Sequence, residues 1–296
     1  MAGPPQRVEH IVEAALSCGV RSCEQATGGR VAQTYLLELD SGPGRAVCKL
    51  GGPSVRTGDV IEPLVLELVT ETTEIVAPSV LASGLVRENG STTRWALYEF
   101  LDGSPPTPFP SLGDDCSRIL RDAGAMLGEL HATHAFDRTG GLARNGDDLV
   151  VERPAGVWIP EQGRRLAEHA GCDTEDWQPV LTHGDLFPGN LLVDDGATAV
   201  LDWGNAHVTT AGYALARAEM RFVDWFWPSL SAATREQLRH ELREGYRRYR
   251  PLPPDYETLG TAYKLLWLGQ SAERLARHVT TSRGRAQLRR HLRSLL

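Results

Sequence analysis

Between residues 27 and 50 the chain reads TGGRVAQTYLLELDSGPGRAVCKL, with apolar and polar positions alternating. Tyr35 to Leu39 and Ala46 to Leu50 are separated by Asp-Ser-Gly-Pro-Gly, a turn composition, so the pattern predicts an antiparallel hairpin. Gly28-Gly29 marks another tight turn just ahead of it. Residues 7–17 read as an opening helix. Residues 60–74 place Ile61, Leu64, Val65 and Leu68 on one helical face, with Pro63 in the first turn, where its missing amide is tolerated. IVAPSVLASG and TRWALYEFLDG then read as two more strands, the second closed by Asp102-Gly103.

After the proline-dense GSPPTPFPSLG the period becomes helical. Ile119, Ala123, Met126, Leu127 and Leu130 form one stripe, Leu238, Leu242 and Tyr246 a second, and Leu259, Tyr263, Leu266 and Gln270 a third. Only residues 180–202 interrupt, where NLLV and TAVLD flank Asp194-Asp195-Gly196 as a hairpin. The expected class is α+β: a small β-rich N-terminal lobe, residues 1–103, and a larger, mainly helical C-terminal lobe, residues 104–296.

A length of 296 residues agrees with two lobes, and 41% hydrophobic residues suffice for packed cores. Five scattered cysteines, an odd number without metal-ligand spacing, point to a reducing, cytoplasmic setting. No export signal or membrane-spanning run is expected. The net charge of −7 hides an asymmetry: residues 1–204 hold 15 Lys+Arg against 30 Asp+Glu, and residues 205–296 hold 16 against 8. Net acidity without a recognition motif argues against nucleic acid as a partner. Arg239, Arg243 and Arg247, at helical spacing, read as a solvated face. Lys49 and Lys264 are the only lysines, which makes Lys49, inside the apolar run AVCKL, conspicuous.

The candidate chemistry lies in HGDLFPGN and LDWG. Asp185 precedes Asn190 by five positions, and a hairpin later supplies Asp202. Phosphoryl transfer needs this set: a carboxylate to orient a hydroxyl, and oxygen ligands for a magnesium ion on the phosphates. His183-Gly184-Asp185 with Asn190, followed by Leu201-Asp202-Trp203-Gly204, resembles the catalytic loop and metal motif of the aminoglycoside phosphotransferases, relatives of protein, choline and fructosamine kinases.

The resemblance implies a bilobal protein-kinase-like fold, with Asp185 catalytic and Asn190 and Asp202 on Mg2+. It also implies that Lys49 holds the phosphates of ATP or GTP. Glu62 is the best-spaced partner for Lys49, with Glu67 a competitor. Gly28, Gly29 and Arg30 correspond to a phosphate loop, although no G-x-G-x-x-G is present, and Glu99, Phe100 and Leu101 to the strand that holds adenine. His183 is expected to brace the loop and His131 to pack at a helix end.

After L-D-W-G the family often carries an acidic residue and later Gly-Asp-Pro, where this chain has Asn205 and then HVTTAGYALARAEM. His207 either contacts the acceptor or caps a turn. Glu219 and Asp224 are candidates to hydrogen-bond the acceptor, and Trp225 either stacks on it or packs in the core.

The expected activity is nucleoside-triphosphate-dependent phosphorylation of a hydroxyl on a small-molecule antibiotic, conferring resistance. Because the C-terminal segment is basic, a nucleoside-type or sugar-type antibiotic is favoured over a polycationic aminoglycoside. A metabolite kinase acting on a sugar, amino alcohol or homoserine-like acceptor is the alternative, and a catalytically silent binding module a third.

Overall fold

The protein is described from a computed structural model. It covers residues 5–26, 32–88, 90–106, 114–152, 165, 168–169, 171, 177–224, 230–278 and 286. Helix α1 (Gln6–Leu16) leads into a five-stranded antiparallel sheet ordered β1-β2-β3-β5-β4. Its strands are β1 (Val20–Gln25), β2 (Ala32–Leu39), β3 (Arg45–Gly51), β4 (Val80–Glu88) and β5 (Ser91–Glu99). The expected hairpin forms β2 and β3, closed by Leu39 N–H donating to Gly44 O at 2.8 Å. Along β3 the side chains alternate: Ala46, Cys48 and Leu50 enter a core with Val8, Ile11 and Val12 of α1. Lys49 is therefore left on the opposite face of the sheet. The strand expected from Ile75 begins only at Val80.

Helix α2 (Glu62–Thr72) carries Pro63 in its first turn. Its buried positions are Glu62, Pro63, Val65, Leu66 and Val69, so the inward face is rotated from the expected one. Leu64 and Leu68 are half-buried. Apolar and polar residues are interspersed around the helix, so periodicity alone could not choose which side faces in.

The C-terminal region is mainly helical: α3 (Asp114–Thr133), α4 (Ala211–Glu219) continued by a π turn (Met220–Asp224), α5 (Ala232–Arg247) and α6 (Pro254–His278). The three predicted stripes lie in α3, α5 and α6. Helices α3 and α5 approach so closely that a Cβ on Gly124 would stand 1.9 Å from Leu242 O, and one on Gly245 1.9 Å from Arg121 O. A continuous core joins Ile61, Val65 and Tyr98 of the N-terminal region to Leu127, Trp203, Leu242 and Tyr263.

Within the helices sits a four-stranded sheet ordered β7-β6-β11-β8, built from β6 (Gly140–Asn145), β7 (Asp148–Glu152), β8 (Pro179–Thr182) and β11 (His207–Thr210). Beside it, β9 (Leu191–Asp194) and β10 (Ala197–Val200) form the expected hairpin. Strands β1, β6, β7 and β11 were not expected from the sequence. They are four to six residues long, too short for a decisive period. Among the described residues no helix is long and apolar enough to cross a membrane.

Candidate active site

Strand β3 and helix α2 bring Lys49 and Glu62 together: Lys49 Nζ lies 2.8 Å from Glu62 Oε1 and 3.0 Å from Oε2. Lys49 Nζ also reaches Asp202 Oδ1 at 3.2 Å. Burial pulls the Lys49 ammonium down, but Glu62 and Asp202 outweigh it and hold the pKa above its ordinary value. Lys49 is thus a fixed cation. Glu62 Oε1 in turn accepts from Trp203 N–H at 3.1 Å, tying α2 to the segment after Asp202. The neighbouring Tyr98 phenol is pushed well above its usual range by burial and then by Glu62. Glu67 is exposed and takes no part in this contact.

The loop after β8 carries Asp185, and a 3-10 turn (Pro188–Asn190) delivers Asn190 to the start of β9. Gly184 sits at φ +81, where a Cβ would stand 1.8 Å from Asn205 O, so a side chain there would collide with the segment after Asp202. Asn190 Nδ2 donates to Asp185 O at 2.9 Å, and Leu201 N–H donates to Asn190 O at 2.8 Å. Asp202 itself adopts the left-handed conformation, φ 65 and ψ 62, at the end of β10. The hairpin β9–β10 therefore spaces the loop and Asp202 rigidly.

His183 joins the two ends. Its Nδ1 accepts from Asp185 N–H at 3.1 Å, so Nε2 carries the proton and donates to Leu201 O at 2.9 Å. The ring also packs on Trp203, centroids 4.6 Å apart. His207 is wholly buried on β11, where its Nδ1–H donates to Asn205 O at 3.0 Å. It closes the turn behind the loop.

Burial pushes the pKa values of His183, His207 and His131 down, with help from Arg56 and Arg217 at His207 and from Arg250 at His131, which is pushed down to about 3. Below the free value of about 6.5 the unfolded chain binds protons that the folded one does not, so their contribution is full above that pH and declines beneath it. The urea midpoint is expected to fall between pH 7 and pH 5, while most carboxylates are still ionised. A flat midpoint over that range contradicts the neutral, buried state of the three rings.

Asn190 and Asp202 both offer oxygen, the donor that magnesium takes. The Asn190 amide nitrogen is used on Asp185 O, which leaves its carbonyl oxygen as the ligand atom, and the Asp202 side chain is 52% exposed. The pair fits such a cation. Among the described residues no group of three or more His, Cys, Asp and Glu forms a metal cage, and Asn190 and Asp202 are the residues that would hold such an ion.

At the end of β5, Glu99 N–H donates to Ser79 O at 2.9 Å and the Glu99 carboxylate accepts from Ser79 Oγ at 2.9 Å. Phe100 lies under the Arg45 guanidinium, 3.6 Å from the ring centroid, and Leu101 is half-buried. Gly28, Gly29, Arg30 and Trp225 lie outside the described residues.

Residues 22–252 match the phosphotransferase enzyme family, APH. The chain belongs to this family. It is a small-molecule phosphotransferase with a protein-kinase-like fold. An amicoumacin kinase solved with AMP-PNP, Ca2+ and amicoumacin superimposes with a TM-score of 0.67 at 12% identity, over 98% of this chain and 93% of that one. A microcompartment-associated aminopropanol kinase gives 0.62 at 17% identity, over 97% and 95%. A thermostable mutant of the aminoglycoside phosphotransferase APH(4)-Ia, in a ternary complex with AMP-PNP and hygromycin B, gives 0.59 at 18%, over 98% and 99%. No curated protein matches the sequence.

The acidic residues named as acceptor candidates of the phosphotransferase take up ion pairs. Glu219 and Asp224 are both 0% exposed. Lys264 Nζ bonds Glu219 Oε2 at 2.7 Å and Asp224 Oδ2 at 2.9 Å. Arg243 Nε bonds Glu219 Oε1 at 2.7 Å, and Arg239 pairs with Asp224. These acids are buried and bonded to cations of the helical region. Arg239 and Arg243 are likewise not a solvated face, because they neutralise those carboxylates. Arg247 alone keeps to the surface, paired with Glu244 at 2.7 Å.

Sequence reasoning passed over Arg217 and Arg221, which meet Asp185 Oδ1 at 3.6 and 3.1 Å. Their signal is present in ALARAEMRF, two arginines one helical turn apart in a largely apolar segment.

The Lys49 contact is open to a direct test. Glu62→Gln is expected to raise the nucleotide KM by roughly 10–100-fold, the equivalent of ~1.5–3 kcal/mol for a hydrogen bond to a charged group. Glu67→Gln should leave it near the wild-type value. Steady-state kinetics with varied nucleotide check the pair, and equal effects would remove Glu62 from the phosphate-holding role.

Proposed function

We propose that the phosphotransferase moves the γ-phosphoryl group of ATP or GTP directly to a hydroxyl of a small molecule. The observation that carries this reading is the bonded set of Lys49, Glu62 and Asp202, linked through Leu201 and His183 to the loop of Asp185 and Asn190. The similar structures solved with AMP-PNP support nucleotide use.

Lys49, held by Glu62, binds phosphate oxygens. Asn190 and Asp202 are the residues that would hold magnesium, which when bound neutralises charge on the phosphates. Asp185 orients the acceptor hydroxyl and accepts its proton as the new O–P bond forms. The bond to the leaving diphosphate breaks in line, and its electron pair stays with the diphosphate. Positioning and charge neutralisation supply most of the rate, since the loose transition state needs little covalent help. Glu99, Phe100 and Leu101 border the adenine.

The acceptor is either an antibiotic, with resistance as the outcome, or a metabolite. The similar structures include a kinase of each kind, amicoumacin and aminopropanol. The deciding experiment incubates the protein with ATP or GTP and a panel of antibiotics and hydroxyl metabolites, then reads a mass gain of one phosphate. Hits confined to common metabolites overturn the resistance reading, and no hit in the presence of demonstrated nucleotide binding returns the silent binding module.

A further inference from the structure

Two guanidinium groups stand beside Asp185, in addition to Lys49 and the pair Asn190 and Asp202. Arg217 lies in α4 and Arg221 one turn later in the π turn, with side chains 15% and 19% exposed. Both address the same carboxylate oxygen, Asp185 Oδ1. Arg221 is held over the Phe187 ring, 4.2 Å from its centroid, and lies 5.7 Å from that of Trp267. Among the described residues their ion pairs run to Asp185 alone, two cations against one carboxylate. Burial pushes Arg221 down to about 10, with Asp185 opposing the shift and the like charge of Arg217 adding to it. The acids of the same segment give no relief: Glu219 and Asp224 are committed to Lys264, Arg239 and Arg243. Arg56, from the loop after β3, adds positive potential at His207 and Tyr213, as Arg217 does.

We propose that Arg217 and Arg221 form an anion subsite, and that the acceptor carries a carboxylate or phosphate group beside the hydroxyl it presents to Asp185. The inference rests on the phosphotransferase reading and narrows its substrate class. The planar guanidinium fork matches either anion, and such charge-assisted bonds are the strong ones. An acid group arriving at the arginines takes the place of Asp185 as their partner. Asp185 is then released to accept the hydroxyl, so acceptor binding and readiness of the base are coupled. A polycationic acceptor would instead meet two like charges.

The test uses matched pairs on the full chain: gluconate against glucose, glycerate against glycerol, and glucosamine as a cationic member. Equilibrium binding is read by saturation-transfer NMR without nucleotide, and transfer is read by mass spectrometry with ATP. The acids should bind at least about tenfold more tightly than their neutral or cationic partners, the scale of one charge-assisted hydrogen bond. Arg217→Gln and Arg221→Gln should each erase that preference and raise the acceptor KM, leaving the nucleotide KM unchanged. Arg221→Lys should restore part of it. No binding of any acid, equal binding across the three charge classes, or a preference for the cationic compound overturns the proposal. A uniform loss of kcat in the Gln variants with a raised nucleotide KM also overturns it, because the arginines would then serve the transferring phosphoryl group. Failure of the phosphotransferase reading looks different: selective acid binding with no phosphorylated product from any acceptor.

Discussion

Replacing Asp185 by Asn is expected to lower kcat by roughly 10^2–10^4-fold, the range a positioned general base supplies. The substitution keeps the shape of the side chain but removes its capacity to take a proton. Backbone contacts of the loop do not depend on that side chain: Asp185 N–H still reaches His183 Nδ1, and Asp185 O still accepts from Asn190. Nucleotide binding should therefore stay near wild type, since Lys49, Glu62, Asn190 and Asp202 are untouched. Single-turnover kinetics with titration of a fluorescent nucleotide separate the two quantities. Full transfer activity in the Asn variant would remove Asp185 from the base role, and parallel loss of nucleotide affinity would make it a structural residue of the loop.

Lys264→Met should destabilise the protein by ~3–5 kcal/mol, the usual result of removing one partner from a buried ion cluster. Lys264 bonds both Glu219 and Asp224, which have no solvent exposure. Burial alone would raise the Glu219 pKa, but Lys264 and then Arg243 outweigh it and hold it below its ordinary value. The sign follows. A carboxylate with a depressed folded pKa contributes stability above its free value of about 4.3, and that contribution is lost as pH falls through the folded pKa. The difference between wild type and variant should hold at pH 7 and pH 5 and narrow only below about pH 4. Urea unfolding at these pH values measures it. Glu219→Gln combined with Lys264→Met should recover part of the loss, because the double variant leaves one fewer uncompensated charge. A loss under ~1 kcal/mol, the range of an exposed pair, would contradict the buried cluster.

The elements that bring the candidate site together were legible because their signals are local. Asp-Ser-Gly-Pro-Gly between alternating runs placed the β2–β3 hairpin, and the residues flanking Asp194-Asp195-Gly196 placed β9–β10. The polar spacing from His183 to Asp202 named the loop that the folded chain braces through Leu201. Lys49 stood out by the scarcity of lysine and by its apolar neighbours. The short strands β6, β7 and β11 gave no comparable signal. Their pairing joins segments distant in sequence, as His207 does with Gly141 and Thr182.

Charge was the weakest guide. A basic stripe on a helix has one pattern whether its arginines meet water or buried acids, so Arg239 and Arg243 read as surface residues. Glu219 and Asp224 gave no sign in the sequence of the cations they meet. Sequence alone pointed to the family and named the residues proposed to carry its chemistry, because these readings depend on residue type at short, fixed spacing. Tertiary packing decided that Glu62 and not Glu67 meets Lys49, that Glu219 and Asp224 turn inward to Lys264, and that Arg217 and Arg221 face Asp185. Those choices rest on how a helix is rotated about its axis and which distant helix it packs against, and that rotation is set by the burial of the whole core.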